Sequence, residues 1–321
     1  MISNKYRINK TTFYSIILAP IFFIYAYLLI SPYIDGDQYY YRLFYLELAD
    51  TKFIDVIPLA AASVGSVEPI SIYILWIGSI LGLDKDIFIS LLNVFLLVGL
   101  FLFCRKNYVA PVPLFLLLSN YYVIVLMTGA ERLKIAYIIL FWCALYTGNK
   151  SRFFLISSSL AHFQSILLLP SLLLANYAES MRRLLMAGKF RLRFIFAIIL
   201  MVLFAAVFFS IFNEAIIRKI IGVLSLEARD TGLSNLILLA VVAIFATRYR
   251  WRMLLLLLPM LPAVSIFGGQ RVNMIAVTLV LYMLIVERRL NHPFVLLLLL
   301  YFSLKSIPYI INIYTIGSGF V

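Results

Sequence analysis

Two arginines in this chain stand where a helix begins. Arg132, in "TGAERLKIAY", has a glycine three residues before it and Lys134 beside it, and Arg271, in "FGGQRVNMIA", follows Gly-Gly. Free backbone N–H groups and the helix dipole favour an anion at such a position. A guanidinium adds a planar fork that suits phosphate oxygens. Two such sites from distant parts of a chain can clamp one pyrophosphate. His162, in "LAHFQSILLLP", is followed by Gln164 and Ser165. It has the chemistry of a general base or of a hydrogen-bond donor to substrate. The same residues also fit blander roles, as interfacial arginines that snorkel and as a packed, hydrogen-bonded histidine.

A second group is acidic and aromatic. The stretch "YIDGDQYYYR", residues 33–42, holds Asp35 and Asp37, then Tyr39, Tyr40, Tyr41 and Arg42. Tyrosines stack on sugar rings, and they are also ordinary residues of a membrane–water interface. Glu68 stands before Pro69. Asp37 or Glu68 could bind a metal, act as a base or hold sugar hydroxyls. Asp84-Lys85-Asp86 reads as a solvated turn. Residues 213–234 carry Glu214, Arg218, Lys219, Glu227, Arg229 and Asp230 among isoleucines. They read as a helix on the membrane surface that covers the site, with Arg229 toward substrate or paired with Asp230.

The elements that must position these residues follow from composition. The chain has 321 residues, 64% of them hydrophobic and 13% charged, and its mean hydropathy is +1.04. A soluble domain has far more polar surface. Apolar runs long enough to span a bilayer recur along the length, without the short alternating segments of a β-barrel. The expectation is one all-α polytopic membrane domain over residues 1–321. The first run, 13–31, reads as a transmembrane helix rather than a cleaved signal. Cys104 and Cys143 read as buried thiols, and two histidines are too few for a His-rich metal site. No internal repeat is visible.

The net charge of +13 invites a nucleic-acid partner. Its distribution argues against one, because the cations lie in short patches between apolar runs. Clusters at 5–10, 105–106, 150–152, 182–193, 248–252 and 288–289 hold 17 of the 27 basic residues. Placed in the cytoplasm by the positive-inside bias, they set the orientation. Spans then run near 13–31, 86–104, 111–128, 135–147, 194–212, 235–247, 253–267, 272–286 and 293–311. Residues 32–67 and 213–234 become outer loops. Segment 68–83 must be re-entrant or lie on the outer face, and 152–176 must be a hairpin. About ten crossings result. Of the 14 acids, 12 fall on or near the outer face, although acids were not used to orient the chain.

With these residues assembled, the chain resembles the EpsG/Wzy-like polysaccharide polymerases, in order over roughly 30–175 and more loosely beyond. "GDQYYYRLFY" looks like that family's first outer loop, and "VEPISIYILWIGSILGL" like its Glu-Pro/Gly segment. "GAERLKIAYIILF" looks like its helix-opening arginine with alanine four residues on, at Arg132 and Ala136. Leu133 stands where the family often has glutamine. "NKSRFFLISSSLAHFQSILLLP" looks like its basic turn, apolar run and histidine. Arg271 has a less specific counterpart.

The resemblance implies a GT-C-like fold with an outward-facing cavity, in the inner (cytoplasmic) membrane of a bacterium. It implies an enzyme that joins oligosaccharide units carried on undecaprenyl pyrophosphate, without cofactor or metal. The product would be O-antigen, capsule or exopolysaccharide. A chain-length regulator and a flippase in the same membrane are the implied partners, and no nucleic acid is. Arg132, Arg271, His162 and Asp37 would be catalytic. Asp35, Tyr39, Tyr41, Arg42, Glu68, Lys134, Gln164, Ser165 and Arg229 would bind substrate. Two other classes remain open. One is a GT-C glycosyltransferase using a lipid-phosphate sugar through Asp35 and Asp37, often with a metal. The other is a flippase or transporter of the same lipid-linked glycan.

Overall fold

A computed structural model describes residues 10–145, 157–187, 199, 233–267 and 269–320. Among these residues the structure is helical, with no strand. They form two compact units, the first drawn from residues up to 165 and from 299 onward, the second from 166–298.

In the first unit, α1 (Lys10–Ile30), α2 (Asp37–Leu48), α3 (Val56–Ser63), α4 (Pro69–Ile80), α5 (Lys85–Lys106), α6 (Pro111–Leu118), α7 (Tyr121–Thr128) and α8 (Glu131–Leu145) follow in order. The stretch expected as an outer loop, 32–67, thus contains two helices and a 3-10 turn at Phe53–Asp55. Gly36 precedes α2 at φ 60°, in the left-handed region that glycine enters without a Cβ penalty. The buried face of α2 (Tyr41, Phe44, Tyr45 and Leu48) packs with Val56, Ala60, Ile72, Leu75 and Ile89 into one core. Ser79 Oγ donates to Tyr45 O at 2.6 Å and ties α4 to α2. At Gly99 on α5, a Cβ would meet Trp142 of α8 at 3.1 Å, so the missing side chain lets the two helices approach.

Among the described residues, three helices are long and apolar enough to cross a membrane: Phe13–Ile30 of α1, α5, and Pro293–Ile316, here α15. A fourth crossing arises if α6 and α7 form one span. The sequence predicted a single helix over 111–128. The structure breaks it at Ser119–Asn120 and bends it by 44°. Asn120 caps α7, its Oδ1 accepting from Tyr122 N at 2.9 Å, which starts a new helix where the old one would have continued. Segment 68–83 holds the 12-residue apolar helix α4, shorter than a span.

The part of α15 from residue 299 completes the first unit. Ser303 Oγ donates to Leu116 O at 2.9 Å, Tyr314 OH donates to Leu28 O at 2.8 Å, and Tyr122 and Phe302 meet edge to face. Beyond α15 the chain folds onto the stretch that follows α1. Gly317 O accepts from Ile34 N and Asp35 N at 3.0 and 2.9 Å, and Tyr33 bonds to Tyr309, Ser318 and the Gly319 backbone. A Cβ on Gly319 would lie 2.1 Å from the Tyr309 ring, so only glycine fits there.

The second unit contains α9 (Leu168–Asn176), α10 (Ala178–Ala187), α11 (Leu233–Ala246), α12 (Arg250–Leu257), α13 (Met260–Phe267) and α14 (Gly269–Val286). Leu174 and Ala178 pack against Leu255 of α12. The span expected over 253–267 is interrupted at Leu258 and Pro259, where proline lacks the N–H a continuous helix needs. The expected span 194–212 and the loop 213–234 lie outside the described residues, save residue 199.

Candidate functional site

Small residues bring the chemistry together. Ala136, one turn into α8, and Ala161, at the end of the helical turn 157–161, are both fully buried against each other and beside Ile70 and Ile74 of α4. Ser71 Oγ of α4 donates to Ala161 O. Where these elements meet, Glu68 precedes α4, Arg132 opens α8, and the helix ending at Ala161 stops so that His162 turns in. Sequence separations of 64 and 94 residues collapse into one cluster.

Glu68 is its centre. Its Oε2 accepts from Arg132 Nη1 at 2.7 Å and Ser66 Oγ at 2.6 Å. Its Oε1 faces His162 Nδ1 at 2.7 Å and accepts from Phe163 N at 3.2 Å. Two carboxylate oxygens offer about four lone-pair positions, so these contacts occupy them all. Burial pushes the Glu68 carboxyl up. The hydrogen bond and charge of His162, the Arg132 guanidinium and Ser66 outweigh burial and hold it down at about 2. A carboxylate so held is a poor base and has nothing left for a metal or a sugar hydroxyl. Glu68 instead orients its neighbours.

The orientation has a chemical result. Facing a carboxylate, Nδ1 of His162 carries the proton, and Nε2 is the nitrogen that accepts in the neutral ring. Nε2 lies 3.2 Å from Gln164 Oε1, within an amide whose oxygen and nitrogen ends can exchange. His162 is 6% exposed, while the Arg132 side chain is 20% exposed. Arg132 also bonds to Tyr41. Ser165 is buried, and its Oγ has no hydrogen-bond partner among the described residues.

A second buried network lies beside the first. Lys134 is fully buried and pairs with Glu131 Oε2 at 2.9 Å. Gln38 Nε2 donates to Glu131 Oε1 at 2.7 Å and to Thr128 O, and Lys85 Nζ donates to Gln38 Oε1. Lys85 also sits 3.9 Å from Glu131. Lys134, expected to face substrate, is thus locked inside the protein. Asp84-Lys85-Asp86, expected as a solvated turn, is a helix start. Asp84 caps α5 by accepting from the Asp86 and Ile87 N–H groups, while Lys85 and Asp86 are buried. Arg42 pairs with Asp86 at 2.9 Å and bonds to the Ile30 and Tyr33 carbonyls, a tie between α1, α2 and α5.

The remaining expected residues separate. Asp35 and Asp37 are exposed, and Asp35 Oδ1 accepts from Gly36 N at 2.7 Å. Tyr39 and Tyr40 are exposed and edge to face, whereas Tyr41 is buried and turned toward Arg132. Arg271 lies in the first turn of α14 in the second unit, and its side chain is outside the described residues, as is all of Arg229. Cys104 and Cys143 are buried. Among the described residues no group of three or more His, Cys, Asp or Glu could hold a metal ion.

Sequence reasoning passed over three polar residues. Ser66 and Gln38 have no motif to mark them. Lys305 had a visible signal, a lone charge in the middle of the 24-residue α15. Compared with family models, curated proteins and solved structures, the chain matches none.

Proposed function

We propose that this chain is a polytopic membrane glycosyltransferase that polymerises oligosaccharide units carried on undecaprenyl pyrophosphate. The reading places about ten crossings in a bacterial inner membrane, with the site on its outer side. The observation that supports it most is the Arg132–Glu68–His162 cluster. It sets a fixed, partly exposed guanidinium beside an imidazole whose Nδ1 is already committed to a carboxylate.

In this reading a sugar hydroxyl of the incoming unit attacks the anomeric carbon of the growing chain. Its proton passes to His162 Nε2. The bond from that carbon to pyrophosphate breaks, and the pyrophosphate leaves on its lipid. Charge grows on the leaving group, so Arg132 stabilises the transition state more than the ground state. Glu68 holds both partners in place. Tyr39, Tyr40, Asp35 and Asp37 are free to contact glycan. Gln164 and Ser165 flank the base.

One observation favours a second reading, a flippase or transporter for the same lipid-linked glycan. Lys305 sits in the middle of α15, opposite a broken helix, and such features mark membrane pathways. Deleting the gene in its own host and sizing the surface polysaccharide separates the two. Single-repeat material, restored to a ladder by wild type but not by stably expressed Arg132→Ala or His162→Ala, supports the polymerase. Loss of even single-repeat material overturns it and points to an earlier step. Activity that disappears with EDTA would favour the metal-dependent glycosyltransferase.

A further inference from the structure

The break between α6 and α7 is the one place among the described spans where a charged side chain faces an interrupted helix at mid-length. Lys305 is the only charged residue of α15, and the helical rise puts it roughly 17 Å from either end. Among the described residues no carboxylate pairs with it; its ammonium lies 4.9 Å from the centre of the Tyr121 ring. Tyr121 is the first residue of α7. The polar contact continues on both sides. Ser119 and Ser303 are hydrogen-bonded at 3.1 Å, and Ser306 Oγ donates to Ser303 O at 2.6 Å.

Asn120 supplies an independent sign. It is fully buried, and its Oδ1 caps Tyr122 N. Its Nδ2, the other end of the amide, has no hydrogen-bond partner among the described residues. A buried amide N–H without an acceptor is costly and calls for a ligand atom. The uncapped first-turn N–H groups of α7 open on the same break. An ammonium without a carboxylate, an amide without an acceptor and a helix N-terminus are three donors with no anion between them. Irregular backbone at membrane depth is tolerated where it lines such a polar site.

We propose that the Ser119–Asn120 break and Lys305 form a binding site for a phosphate group, separate from the Arg132 cluster. It draws on no residue of the polymerase mechanism and holds whether or not that reading does. α7 joins the two places, its start at Asn120 and its end roughly 12 Å away at Thr128, just before Glu131 and Arg132. Two sources offer this chemistry, the headgroup of an anionic lipid and free phosphate.

The test uses the full chain in nanodiscs of equal phosphatidylcholine and phosphatidylglycerol, released and weighed by native mass spectrometry. Inorganic phosphate is titrated in parallel against thermal unfolding. Two variants remove the site by different routes. Lys305→Met deletes a cation that has no carboxylate to orphan. Asn120→Asp keeps the cap of α7 but replaces the free donor by a carboxylate, which repels a phosphate. Wild type is expected to retain one phosphatidylglycerol, which both variants lose by about tenfold and Lys305→Arg keeps. Unchanged lipid retention with a phosphate-dependent stabilisation in wild type alone assigns the site to free phosphate. Equal lipid retention and equal phosphate response in wild type and both variants overturn the proposal.

Discussion

Glu68→Gln tests the central claim, that one carboxylate holds both Arg132 and His162. The substitution keeps size and removes charge. A carboxylate offers acceptors on both sides, but an amide offers them on one. Its NH2 end must meet donors, either Arg132 Nη1 with Ser66 Oγ or His162 with Phe163 N. Two routes give the magnitude. Holding the Glu68 carboxyl at about 2 against its ordinary 4.5 corresponds to roughly 3 kcal/mol in favour of the ionised, folded form. Breaking a buried ion pair by removing one partner costs about 3–5 kcal/mol, and the partial exposure of Arg132 argues for the lower end. The expected loss at neutral pH is about 3 kcal/mol, a fall on the order of 6–10 °C in thermal unfolding of the purified protein. The pH dependence has a definite sign. The folded carboxyl titrates below its unfolded value, so its stabilisation is complete above pH 4.5 and disappears as pH falls through about 2. Wild type should lose this contribution across that window, and Glu68→Gln should lack it, so the two curves converge at the acid end. A variant that unfolds within about 1 °C of wild type near neutrality and slopes equally in acid would refute the cluster's role.

Two further perturbations address neighbouring features. Lys134→Met leaves Glu131 buried with Gln38 and only a distant Lys85, and should cost about 3 kcal/mol in thermal unfolding; a loss under about 0.5 kcal/mol would mean the lysine reaches water. Gly319→Ala puts a methyl group into the Tyr309 ring and should cost about 1–3 kcal/mol and speed proteolysis after residue 316. Gly65→Ala is the control, since a Cβ there meets nothing within 4 Å and only its backbone angle is strained.

The residues with local signals were legible. Arg132 is placed at a helix start by the glycine and acid before it, and His162 sits at a break because three polar side chains interrupt an apolar run. The exposed Tyr39 and Tyr40 follow from the polar composition around them, with Asp35, Asp37 and Arg42 close by. What failed was reading charge as solvation. Lys85 and Asp86 look like a surface turn until Glu131 and Arg42, some 46 and 44 residues away, neutralise them inside. Tyr41 faces inward toward Arg132, a pairing across a long separation that carries no local mark, whereas Lys134 is buried on Glu131, three residues before it. The helix break at Ser119 was hidden by averaging. Eighteen largely apolar residues look continuous, although one cap can restart the backbone hydrogen bonding within them.

The first unit is discontinuous in the chain, and this sets a timetable for its biogenesis. Helices α1 to α8 emerge from the ribosome long before residues 299–320 exist, and 166–298 must be synthesised in between. Until then Leu28 O lacks Tyr314, Ser119 lacks Ser303, and Gly317 is not there to receive Ile34 and Asp35. The nascent protein must therefore wait in the bilayer with one flank unclosed. Contacts across about 280 residues form late and slowly. A membrane insertase or chaperone that shields the exposed sides of α1, α6 and α7 would act during that interval.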